Sequence, residues 1–158
     1  MRASGKSDLQ KFRKFLKNGM PGPHAYVVLL GLNQFDWPGV IERIEKGLPY
    51  SSLERLQRNS GFTTDQLIDL LQIPKRTLAR RKASGRLSAE ESDRLVRLAR
   101  VFAKALHLFG GDADQTIAWL TAAQRAFRGT TPLEMARTEI GAQEVERLVF
   151  QLEHGVLP

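Results

Sequence analysis

Between Lys75 and Arg86 the chain places six cations within twelve residues: Lys75, Arg76, Arg80, Arg81, Lys82 and Arg86. No acid stands among them, and Thr77 sits beside Arg76. Side chains of this kind on one helix suit nucleic acid. Arg pairs with a guanine edge or a phosphate, Thr meets either, and a major groove admits one helix. Such cations also supply affinity that falls as salt rises. The alternative is a structural hairpin with a solvated basic face. Other chemistry finds little footing. His24, His107 and His154 lack metal-ligand spacing, and cysteine is absent. That excludes disulfides, thiolate metal sites and cysteine nucleophiles, and it fits a reducing, cytoplasmic compartment. Gly5-Lys6-Ser7 echoes the end of a phosphate-binding loop but lacks the earlier glycine and the preceding strand. No Gly-x-Ser-x-Gly elbow or dinucleotide fingerprint is present. The expectation is a protein with no catalytic residue, no metal and no cofactor of its own.

The elements that must position the basic cluster read as helices. Thr64 to Arg81 has the grammar of a helix-turn-helix, with a tight turn at Gln72-Ile73-Pro74. Leu67, Leu71, Ile73 and Leu78 are the apolar positions that lock its two helices at a steep angle. Two positions depart from the usual pattern: Gln72 stands where Gly is common, and Ile68 where a small residue is usual. Periodicity, caps and glycine stops predict helices near 51–58, 64–71, 75–82, 89–108, 113–127, 132–138 and 142–153. Ser51 or Ser52, Thr63 or Thr64, and Asp112 or Asp114 are the expected caps. Ser88 with Glu91, and Thr131 with Glu134, read as capping boxes. Tyr26–Leu30 is either a strand or a buried helical turn, and Pro38 opens a helix that stops at Gly47. Val145, Leu148 and Leu152 read as core, as do Trp119, Leu120 and Phe127. The fold class is all-α.

The 158 residues suit one medium domain or two small ones sharing a core. Hydrophobic residues at 42% and charged residues at 26% make a folded chain the expectation. The longest apolar run, Ala25 to Leu30, is far short of the ~20 residues a membrane span needs. No apolar stretch follows the basic start, so no signal peptide is expected. The net charge of +7 is uneven: residues 1–111 carry a net +10 and residues 112–158 a net −3. One part can face a polyanion, while the other cannot be drawn to one by charge. Residues 1–19 carry six cations against one acid, Asp8. They read as a frayed, solvated terminus, with a nucleic-acid or membrane-surface arm as the alternative. Gly19 to Pro23 reads as a linker. The expected division is a basic arm and linker at 1–22, a helix-turn-helix and dimerisation region at 23–110, and a distinct C-terminal domain at 111–158.

From about Gly47 onward the chain resembles the antitoxins of the Xre/MbcA/ParS type, which are partnered with RES-domain toxins. The resemblance rests on Gly47-Leu48-Pro49-Tyr50, then Arg76-Thr77-Leu78 with Arg80-Arg81-Lys82. Gly85-Arg86-Leu87-Ser88 and Glu90-Glu91-Ser92-Asp93-Arg94-Leu95 follow. Ala118-Trp119-Leu120, Gly129, Pro132-Leu133-Glu134 and Thr138 continue it. Gly141-Ala142, Val145, Leu148 and Glu153-His154-Gly155-Val156 complete it. It covers about two thirds of the chain. The resemblance implies a Cro/C1-like helix-turn-helix region fused to a small helical toxin-binding domain. It also implies a protein that binds its toxin, blocks the toxin's active site and represses its own operon. RES toxins degrade NAD, so NAD belongs to the partner. On this reading Lys75, Arg76, Thr77, Arg80, Arg81, Lys82 and Arg86 meet operator DNA, and Glu153, His154, Gly155, Val156, Leu157 and Pro158 reach the toxin. A homodimer is expected, because readers of this grammar use two half-sites. The other reading is a transcription regulator whose C-terminal region only dimerises or senses a ligand.

Overall fold

Nine helices and two short 3-10 segments follow one another among the described residues. The computed structural model describes the backbone of residues 2–156 and the side chains of residues 8–156. The α-helices are α1 (Arg2–Asn18), α2 (Trp37–Lys46), α3 (Tyr50–Ser60), α4 (Thr64–Leu71), α5 (Lys75–Ser84), α6 (Ala89–Leu108), α7 (Ala113–Leu120), α8 (Pro132–Met135) and α9 (Glu139–Glu153). The 3-10 segments are Ala25–Leu30 and Arg125–Phe127. The all-α expectation holds, and the single isolated bridge among these residues joins Pro49 to Arg86.

The centre is α6. Its stripe of Leu95, Ala99, Phe102 and Leu106 is fully enclosed, and α2, α4, α7, α9 and the first 3-10 segment all pack on it. The segment Ala25–Leu30 is the buried helical turn. Every one of its six residues is inside, which explains the absence of any polar position in its sequence: α1, α3 and α6 leave it no solvent face.

The amino terminus differs from the frayed segment expected. Phe12 of α1 is buried in the main core. Asp8 accepts bonds from Arg55 Nε and Nη2 at 2.8 and 2.6 Å and from Asn59 Nδ2 at 3.1 Å. Asn59 also donates to the Leu29 carbonyl at 2.9 Å. The one acid in a basic segment is thus its anchor, and the Asp8 bond holds the Arg55 guanidinium above its ordinary pKa. Arg13 Nε closes the other end by donating to the Gly111 carbonyl at 3.0 Å.

Four boundaries shift for local reasons. The helix expected from Ser51 or Ser52 begins at Tyr50 after Pro49, because Tyr50 N–H is taken by the Gly85 carbonyl and Leu48 N–H by Ser92 Oγ. The helix expected over 113–127 ends at Leu120. There Thr121 Oγ1 bonds back to the Ile117 carbonyl and the Gln124 amide donates to the Trp119 and Ala122 carbonyls. Phe127 therefore lies on a separate 3-10 turn and is only partly buried. The helix expected over 132–138 stops at Met135, since Thr138 is recruited as the cap of α9 and accepts from Gly141 N–H at 3.0 Å. So α9 starts at Glu139 and not at 142. Gly141 is not a break: it is a close-packing site inside the helix, where a Cβ would collide with the Met135 carbonyl.

Candidate nucleic-acid and protein interfaces

The basic cluster is carried by α5, positioned from both sides. On the near side α4 is fixed by a full capping box between Thr63 and Gln66. The turn is closed by Gln72 in a left-handed conformation, φ 53. That is the backbone shape glycine usually supplies, at the position where Gln72 breaks the pattern. Arg94 of α6 braces this turn by donating to the Leu71 carbonyl at 3.3 Å. Leu78 is the one buried residue of α5, so nearly the whole helix surface faces out. Arg76 and Arg80 stand one turn apart, with Thr77 partly covered beside them. Lys75 and Lys82 flank them two turns apart, exposed.

Arg81 and Arg86 are placed differently. Arg81 makes a two-pronged contact to Glu91 at 2.8 and 3.2 Å. Glu91 is also the third residue of α6 and completes the Ser88 capping box. Burial alone would raise the Glu91 carboxyl, but the bonds from Arg81 and Ser88 outweigh it and hold its pKa below the ordinary value. Arg86 Nη1 donates to the Gly47 carbonyl at 2.6 Å. Beside it Leu87 N–H bonds to the Leu48 carbonyl at 2.9 Å. These two arginines hold α5 against α6 and against the end of α2. Gly47 has φ 85, and a Cβ there would strike the Leu87 carbonyl.

At the other end of α6, Arg100 links α9 to the core through Glu139 at 2.7 Å and Glu146 at 2.7 Å. His107 Nδ1 meets Glu153 Oε1 at the last turn of α9. The helix then stops: Gly155 is left-handed at φ 66, and Val156 N–H returns to the Gln151 carbonyl at 2.8 Å. His154 Nδ1 donates to the Phe150 carbonyl at 2.8 Å, and its ring stacks on Phe150 at 4.1 Å.

The expected C-terminal set is therefore divided. Glu153 is engaged with α6, His154 leans on Phe150, and Gly155 and Val156 are exposed. Leu157 and Pro158 lie outside the described residues. Leu152, expected in the core, is exposed, because at that level the neighbour on α6 is His107 and Glu153 turns toward it. Phe150 is an outward aromatic that periodicity did not single out. Its signal was present: it is a large apolar residue off the buried stripe of Val145, Leu148 and Val149.

These features define an all-α helix-turn-helix protein with a second helical segment hung on the far half of α6. No helix among the described residues is long and apolar enough to cross a membrane. Residues 39–100 match the Antitoxin Xre-like helix-turn-helix domain. Residues 104–155 match the Antitoxin Xre/MbcA/ParS C-terminal toxin-binding domain. The chain is 33% identical over 115 residues to an Antitoxin Xre of Photorhabdus laumondii, covering 72% of this chain and 78% of the relative. It is 32% identical over 118 residues to an Antitoxin Xre of Yersinia enterocolitica, covering 74% and 80%. A third Antitoxin Xre, from Pseudomonas putida, is 38% identical over 114 residues, covering 72% and 70%. The chain belongs to the Xre antitoxin family. It joins a helix-turn-helix domain to a toxin-binding domain, its partner is a toxin, and the family is not one of enzymes.

Proposed function

We propose that this antitoxin neutralises a RES-domain, NAD-degrading toxin by occluding the toxin's active site, and that as a homodimer it binds operator DNA and represses its own operon in the cytoplasm. The basic part, residues 23–110, carries DNA and the pairing of copies, and residues 111–158 carry the toxin. The observation that supports the neutralising role is the end of α9. Phe150, Leu152 and Val156 are each exposed within the last turns of α9 and the residues just after it. Large apolar groups left exposed in one short segment are those a partner covers. Glu153 anchors the end of α9 against His107, and His154 to Pro158 then reaches over the NAD site. Arg76, Thr77 and Arg80 read the operator. Lys75 and Lys82 touch phosphates, while Arg81 and Arg86 act chiefly by fixing the helix that bears the others.

Truncation after Glu153 tests the plug. The shortened chain keeps every buried residue among those described, so it should fold and still bind, while NAD cleavage by the toxin returns. Full neutralisation by the truncated chain would shift the account to occlusion by the folded domain. Failure of the intact chain to co-purify with a RES toxin would instead favour a transcription regulator.

A further inference from the structure

One face of α2 has no partner among the described residues. Trp37, the first residue of α2, is 64% exposed, and Ile41, one turn on, is 45% exposed. Beside them Pro21, Pro23, Phe35 and Pro38 line a shallow apolar groove that Trp37 borders. The groove is built on fixed parts. Phe35 stands edge-on against Phe15 of α1 with ring centroids 5.7 Å apart. Asp36 caps α2 by accepting from Gly39 N–H at 2.7 Å. A tryptophan is among the largest apolar groups a chain can leave in water, and such residues concentrate at the centres of interfaces.

Charge and position indicate what covers this face. Within Trp37–Lys46 the acids Glu42 and Glu45 balance Arg43 and Lys46, and Glu42 pairs with Lys46 at 2.7 Å. A helix without net charge offers nothing to phosphates. It also does not repel its own copy, although residues 1–111 as a whole carry a net +10. The face lies outside residues 104–155, the segment matched to toxin binding. The helix that bears it belongs to the helix-turn-helix region: α2 runs to Lys46, and the carbonyl of the next residue, Gly47, receives Arg86 just beyond α5.

We propose that a second copy of this chain covers the face through a two-fold contact. Each Trp37 ring enters the other copy's proline-walled groove, and Ile41 packs alongside. The contact is self-complementary, since the same patch serves as knob and socket. The inference rests on the reading of the protein as an operator-binding pair and gives that pair its surface.

Analytical ultracentrifugation of the full chain tests it, together with tryptophan emission of Trp119→Phe, which leaves Trp37 as the one remaining indole. The wild-type chain is expected to be a dimer at tens of micromolar. Trp37 emission should move to the blue as concentration rises through the dimerisation range. The double variant Trp37→Glu, Ile41→Glu should be monomeric, with unchanged helical circular dichroism and unchanged toxin binding. A dimer that persists in the double variant, or Trp37 emission that stays red through dimerisation, overturns this surface while leaving the pair intact. A wild-type monomer at these concentrations overturns the surface and the paired reading together.

Discussion

Glu91 serves two structures at once: it caps α6 and it holds Arg81 of α5. Its carboxyl lies below the ordinary value of 4.5 in the fold. The unfolded chain therefore takes up the proton first, and the stabilisation is complete above that value and lost as pH falls through the folded one. Glu91→Gln should lower the thermal midpoint at pH 7, with the gap to wild type closing as pH falls below the ordinary carboxylate range; melting curves across that window check it. Gly141 makes a steric prediction. A Cβ there meets the Met135 carbonyl, which belongs to backbone and cannot rotate away. Gly141→Ala should cost about 1–3 kcal/mol, read by denaturant titration. Gly47 and Gly141, both among the residues that carry the family resemblance, are thus glycines for want of space.

At the scale of elements, the proposed function divides the cations of α5 between DNA contact and bracing. Charge reversal at Arg76 and Arg80 tests reading without disturbing the brace, because neither is drawn into an ion pair among the described residues. Two such contacts at about 1–3 kcal/mol each should weaken operator binding on the order of 100-fold. Anisotropy with an operator duplex measures this, and toxin neutralisation should be unchanged. Reversal at Arg81 should instead lower stability by orphaning Glu91. Much of this region was legible in the sequence: α4 and α6 fall on the predicted bounds, because strong caps and unbroken periodicity mark both ends. The division of labour was not legible. Arg80 and Arg81 are equivalent in composition, and only the path of the chain brings Glu91, ten residues on, to one of them. The end of α7 was hidden for a similar reason, since its stop depends on the Gln124 side chain folding back and not on a glycine.

At the scale of the molecule, the basic amino-terminal segment is structural through Phe12 and Asp8. Sequence weighed its charge, which faces solvent, above its apolar stripe, which sets where it goes. Phe12→Ala should cost about 3–5 kcal/mol, lowering the thermal midpoint on the order of 10 °C. The largest consequence comes from α6. It begins inside the region matched to the helix-turn-helix and ends inside the region matched to toxin binding. One continuous rod about 30 Å long is bolted at Glu91 to α5 and at Arg100 and His107 to α9. The protein is therefore two-faced without being modular. Grafting the toxin specificity of one relative onto the operator specificity of another cannot succeed with a junction at residues 100–104. That junction cuts the rod and pairs Arg100 with a foreign α9. A crossover at Gly110-Gly111 keeps the rod whole but divides Arg100 and His107 from their α9 partners, and one in the Arg86–Ser88 connection divides Arg81 from Glu91, so a working chimera must match these partner residues across whichever seam it uses.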